Sequence, residues 1–215
     1  MECPLCRLRM KNRSYCPRCE TQRLLPPEYL PPHEFPRVPV DYAGFGPRLG
    51  ALLLDGLVLL PAWGASIWMQ TRSPAGAVFG VVFALLVYEA YHVGLTATFG
   101  QTLGKRLMDI QVRRADGARV GWGRAFLRRL PTLLSEVAGV AVAVVVASVL
   151  TQAQFDDAGG IFDRMRMLTR AGAALNVFFH LPFGLYNLAN AITFFTNDRY
   201  RALHDLIAGT VVVYE

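Results

Sequence analysis

The sequence predicts an all-α integral membrane protein: a four-transmembrane-helix bundle with both termini in the cytoplasm, a small cytoplasmic β-hairpin, an interfacial amphipathic helix and an N-terminal zinc ribbon. Three observations carry this expectation. The 215-residue chain is 53% hydrophobic and only 18% charged, the apolar extreme that polytopic membrane proteins occupy. Four apolar runs, about 48–69, 76–99, 132–150 and 171–195, are each long enough to cross ~30 Å of hydrocarbon. Eighteen of the 22 Lys and Arg residues lie at or before Arg48, between the second and third runs, or after the fourth. The other two loops hold only Arg72, Arg164, Arg166 and Arg170. An excess of Lys and Arg marks the cytoplasmic side, so a net charge of +6 spread this way points to membrane topology rather than nucleic-acid binding.

Residues 1–23 hold all four cysteines as two CxxC pairs, Cys3/Cys6 and Cys16/Cys19. Two such turns supply a four-thiolate tetrahedral shell with no open position, which predicts a structural Zn²⁺ site. Disulfides are the alternative, disfavoured in a reducing cytoplasm. The segment begins with basic residues and cysteines rather than an apolar leader, so it is expected to remain cytoplasmic. Residues 24–41, dense in proline, read as a semi-rigid linker to the membrane domain at 42–215.

In that domain the first apolar run carries Arg48 and Asp55. Seven residues is about two helical turns, so both side chains share a face, roughly 10 Å apart along the axis. The second run carries Glu89 and His92, and the third carries Glu136 near its start. Between them, Asp109–Arg114 and Ala118–Val120 flank Asp116-Gly117, the signature of a hairpin that the β-branched stretch Thr210–Tyr214 could extend. Trp122, Phe126 and Leu130 recur opposite Arg124, Arg128 and Arg129, the pattern of a helix lying in the membrane interface. The turn Gly104-Lys105-Arg106 lacks the spacing of a phosphate loop. Residues 151–170 read as an outer loop. In the fourth run Asn176, His180, Asn187 and Asn190 fall within about 80° of one another and make one polar stripe.

Three separated pieces, PRLGALLLDGL around Arg48 and Asp55, GQTLGKRLMDIQVRRADG at 100–117 and RALHDLIAGTVVV at 201–213, resemble the RDD family of bacterial membrane proteins. That family is named for an arginine at the start of its first helix, an aspartate within that helix and a further aspartate, matched here by Arg48, Asp55 and Asp205. The resemblance covers roughly 42–215 and implies a multi-pass protein of the bacterial inner membrane, with ion transport suggested for some members.

Ionisable groups within apolar helices should face protein, a counter-charge or water. At ~1.5 Å per residue, Asp55, Glu89, Glu136 and Asn187 all fall in the cytoplasmic half of their helices. They are therefore expected to line a polar cavity open to the cytoplasm, an ion or proton site in which Arg48 tunes or pairs with Asp55. The competing expectation is a set of internal salt bridges bracing the helices, with Asp205 tying the tail to the Gly104-Lys105-Arg106 turn. His92 and His180 read as packing or hydrogen-bonding residues. The functional readings are small-ion or proton transport, with a homo-oligomer enlarging the enclosed space, and a membrane-embedded adaptor that recruits a protein partner through its zinc ribbon. No nucleophile is paired with a histidine and no cofactor loop is present, so no enzymatic activity is expected.

Overall fold

The computed structural model describes Tyr15–Cys16, Thr21–Gln22 and residues 41–215, and the chain divides into two units, Met1–Asp41 and Tyr42–Glu215. In the first unit β1 (Tyr15–Cys16) pairs antiparallel with β2 (Thr21–Gln22), Tyr15 opposite Gln22 and Cys16 opposite Thr21. The expected zinc ligands Cys3, Cys6 and Cys19, the Cys16 side chain and the linker at 24–40 lie outside the described residues.

The second unit is mostly helical, and three of its helical segments are long and apolar enough to cross a membrane: Phe45–Gln70, Pro74–Phe99 and Trp122–Val149. The first is α1 (Phe45–Gln70). The second begins as α2 (Pro74–Glu89), where Pro74 needs no amide partner in the first turn and the Ser73 hydroxyl accepts from the Gly76 N–H at 2.9 Å. It continues through a π-helical turn, Ala90–Gly94, into α3 (Leu95–Phe99), which Gly100 ends at φ 79°. A short helix, α4 (Leu103–Leu107), and β3 (Ile110–Arg114) follow.

The third segment, α5 (Trp122–Val149), departs from expectation. The amphipathic stretch at 122–130 and the apolar run at 132–150 form one continuous helix with Pro131 inside it. A proline removes one backbone donor and need not end a helix when neighbours hold both halves. Here Ala125 is buried in the core at one end and Ser135, Val142 and Val146 are buried further along. The expected outer loop at 151–170 also folds into helix: α6 (Gln152–Asp157), opened by a reciprocal Thr151–Gln154 capping box and anchored by the fully buried Phe155, and α7 (Ile161–Ala171).

The fourth apolar run forms α8 (Ala173–Thr196), whose asparagines, His180 and Pro182 dilute its apolar character, and it is not among the three segments with the length and hydropathy of a span. Then come α9 (Leu203–Ala208), stopped by Gly209 at φ 63°, and β4 (Thr210–Tyr214).

The tail strand finds its partner as expected. β4 pairs antiparallel with β3, Ile110 opposite Tyr214 and Arg114 opposite Thr210. The predicted hairpin around Asp116-Gly117 is reduced to a single bridge, Arg113 to Arg119, on the edge of β3 away from β4, where the Val112 N–H goes to the Gly100 carbonyl instead. This sheet, with Ala43, Ala51, Val120 and Ala125, encloses the best-buried apolar cluster, centred on Ile110, Val112 and Val212. The long helices instead expose large apolar side chains: Leu52, Leu53 and Leu57 on α1 and Phe178, Leu181 and Leu185 on α8 each stand more than half exposed. Apolar faces of that extent are the surface a bilayer covers.

Candidate functional site

Three charged nodes, two built on buried aspartates and one half-buried, lie among α1, α2, the π turn, α4, α5, α8 and α9. The first is built on Asp205, 0% exposed, at the third position of α9, where its carboxylate also accepts the Ala202 N–H at 3.4 Å. Arg48 Nη1 lies 3.0 Å from its Oδ2 and Arg128 Nη2 2.9 Å from its Oδ1, and the Thr210 hydroxyl donates to Oδ1 at 3.0 Å. Burial opposes ionisation of Asp205, yet Arg128 above all, then Arg48 and Thr210, hold its carboxyl well below the usual carboxylate range. Burial pushes the His204 imidazole down to about 3, so the ring is neutral at pH 7. Its Nδ1–H then donates to Asn190 Oδ1 at 2.9 Å while Nε2 accepts from Arg128 Nη2 at 3.1 Å.

The second node is Asp55, 4% exposed, and it has no cation in contact among the described residues. The Tyr91 hydroxyl (2.6 Å) and the Gly104 N–H (2.7 Å) donate to Oδ1, and the Thr102 hydroxyl (2.6 Å) donates to Oδ2. The π turn carries the Tyr91 ring, and its hydroxyl also accepts the Leu103 N–H at 3.2 Å. Gly104 is required for this approach, since a Cβ there would collide with the Ala51 carbonyl and meet the Asp55 carboxylate.

The third node joins α2 to α5. Arg129 Nη2 bridges Glu89 Oε1 at 2.6 Å and Glu136 Oε1 at 3.2 Å, and its guanidinium lies 4.8 Å from the Tyr88 ring centre. The Oε2 atoms of both glutamates are buried without a hydrogen-bond partner.

Two expected pairings are thereby corrected. Arg48 reaches Asp205 rather than Asp55, because two turns of separation along α1 exceed contact distance while α9 brings a carboxylate alongside. The turn at 102–104 is fastened by Asp55 rather than Asp205, which the two arginines occupy. Arg106 is exposed, and Lys105 is half-buried with no ion pair or hydrogen bond through its ammonium group among the described residues. Burial, reinforced by Arg128 and Arg48 and opposed by Asp55 and Asp205, pushes that ammonium down to about 7. His180 meets the Ser135 hydroxyl at 3.0 Å, and His92 stacks edge-on to Tyr91. Among the described residues no group of three or more His, Cys, Asp or Glu is placed to hold a metal ion.

Two cavities flank the third node. The larger, about 480 Å³, is lined by Arg48, Asp55, Lys105, Arg128, Arg129, Asn187 and Asn190 among others. The smaller, about 360 Å³, is lined by Trp63, Val81, Ser135, Glu136 and His180. Tyr88 lines both. Sequence reasoning missed Tyr88, Tyr91, Thr102, Arg128, Arg129 and His204. The available signal was the spacing of Arg129 and Glu136, seven residues apart on one helix face.

Apolar helices tied together by buried charges at one end of a small sheet define a helical membrane-type protein. More particularly, the chain belongs to the RDD family, whose model matches residues 42–209. It is similar to the uncharacterized protein YckC of Bacillus subtilis (strain 168), 28% identical over 174 residues, which are 80% of this chain and 84% of that protein. No solved structure matches.

Proposed function

We propose that this is a bacterial inner-membrane protein that moves a proton or small cation, with the Glu89–Arg129–Glu136 node as its exchangeable charge. In this reading α8 completes a four-span bundle, and both termini and the β3–β4 sheet lie in the cytoplasm, as the distribution of basic residues favours. The observation that carries it is one guanidinium shared by two carboxylates from different spanning segments, each with a buried unpartnered oxygen. Two carboxylates against one arginine leave one surplus negative charge, and a proton or monovalent cation is the species that balances it. Tyr88 lines both cavities, Arg129 the larger and Glu136 the smaller, so each cavity borders the node. Asp55 is less suited to that role than the sequence suggests, since three donors already occupy its carboxylate.

Proteoliposomes of the full chain test this directly. An imposed pH or Na⁺ gradient should drive flux that Glu136→Gln lowers at least tenfold. Absent flux, or flux unchanged in both Glu89→Gln and Glu136→Gln, would overturn it.

A second reading, a membrane-embedded adaptor, is favoured by the pairing of β1 with β2, which brackets the second CxxC in the chain. Cys3, Cys6, Cys16 and Cys19 would hold Zn²⁺ structurally, and the folded ribbon would recruit a protein partner. Zinc bound at one ion per chain and lost in Cys16→Ser/Cys19→Ser, together with a partner captured only by the unaltered chain, is the expected result.

A further inference from the structure

We infer that the larger cavity is a binding site for a phosphate-type oxyanion, carried either on the head group of an anionic lipid or as a free anion. The inference does not rest on the transport reading, because its charged groups are Arg48, Lys105 and Arg128 rather than the Glu89–Arg129–Glu136 node. Arg48, Lys105 and Arg128 line this cavity, and the carboxylates beside them are Asp55 and Asp205. With Lys105 protonated, three cations against two carboxylates leave one positive charge in surplus. Arg129 also lines it but is committed to Glu89 and Glu136.

The hydrogen bonds point the same way as the charges. Arg48 Nη2 and Arg128 Nη1 are buried donors without an acceptor, and the Lys105 ammonium makes no ion pair or hydrogen bond among the described residues. Asp55 cannot supply the missing acceptor, since both its oxygens already receive donors. Buried donors of this kind are normally satisfied, and guanidinium with ammonium is the donor set that recognises a tetrahedral oxyanion. The walls add a second requirement. Phe45, Leu49 and Leu52 of α1 and Phe195 of α8 line the same cavity and are themselves substantially exposed on the apolar surface. A cavity lined both by cations and by apolar side chains that also face the apolar surface suits a ligand with an anionic head and a hydrocarbon tail. Basic pockets of this form between spanning helices hold anionic head groups.

The test uses the full chain in detergent, titrated with phosphatidylglycerol, with phosphatidylcholine and with inorganic phosphate, and read by thermal shift and by native mass spectrometry. Lys105→Gln is the informative variant because Lys105 holds no structural ion pair. Arg119→Gln, at an exposed position on the β3 turn, removes the same charge elsewhere. Phosphatidylglycerol should bind in preference to phosphatidylcholine, with affinity falling about tenfold in Lys105→Gln and unchanged in Arg119→Gln and Lys105→Arg. The same Lys105 dependence seen with inorganic phosphate assigns the site to a free anion. A preference that Lys105→Gln and Arg119→Gln weaken equally, or no preference for either probe, overturns the proposal. Should Lys105→Gln fail to fold, Lys105→Met gives the same discrimination.

Discussion

Asp205 sits between two guanidiniums, whereas Asp55, 4% exposed and on the neighbouring side of α1, meets only a phenol, a hydroxyl and a backbone amide. Both are buried carboxylates that the sequence marks alike, yet they are held by different physics. Counter-charges stabilise Asp205 and depend on it in turn, because removing the carboxylate strands Arg48 and Arg128. Dipoles stabilise Asp55, so its surroundings lose hydrogen bonds but no counter-ion when it changes. One node braces α1, α5 and α9 electrostatically, and the other fixes α4 against α1 by geometry.

Breaking the Asp205 node should give the largest effect. Asp205→Asn leaves two arginines buried without their carboxylate and should cost about 3–5 kcal/mol of stability, read as loss of folded protein in detergent thermal melts. A cost below about 1 kcal/mol would show that Arg48 and Arg128 find other partners. Asp55→Asn should be milder, about 1.5–3 kcal/mol, because charge-assisted bonds become neutral ones while the shape is kept. Gly104→Ala should cost about 1–3 kcal/mol by forcing α4 away from the Ala51 carbonyl. Combined with Asp55→Asn it should be less than additive, since both loosen the same contact.

pH acts through two groups of opposite sign. Lys105, pushed down to about 7 from 10.5, is deprotonated in the folded state before the unfolded one. Between those values the unfolded chain binds more protons, so stability should rise with pH across that window. Oxyanion binding should move the other way and weaken as pH rises through 7, because Lys105 loses the charge that faces Asp55, Asp205, Arg48 and Arg128. Asp205 shifts in the other direction. Its depressed value contributes stability above the ordinary carboxylate range that is lost only as pH falls below that range. Lys105→Gln should remove the first of these dependences and leave the second.

Much of the architecture is legible in residue pattern. The apolar runs at 48–69 and 76–99 become Phe45–Gln70 and Pro74–Phe99, and the β-branched tail pairs with β3 as its composition suggests. The misreadings have two causes. Pro131 and the change from Arg-rich to Val-rich sequence look like a boundary because local signals do not report which neighbour holds a segment in place, whereas residues 151–170 carry a local helix signal, the Thr151–Gln154 capping box, that their mixed charge obscures. The site divides in the same way. Arg48, Asp55, Glu89, Glu136 and Asp205 stand out as ionisable groups in or beside apolar helices, but Tyr88, Tyr91 and Thr102 are ordinary residues until the chain folds.

The sequence by itself determined that this is a membrane-type helical chain whose buried charges must find partners, because the cost of burying an ion in an apolar medium is a property of the residue and its surroundings in the chain. Only the tertiary structure decided which partner each charge takes. Contact distance, not helical periodicity, selects among them: α9 brings Asp205 to Arg48, the π turn brings Tyr91 to Asp55, and α5 lays Arg129 between two glutamates. The same set of charges could have been paired several ways on paper, and the packing of the helices allows one.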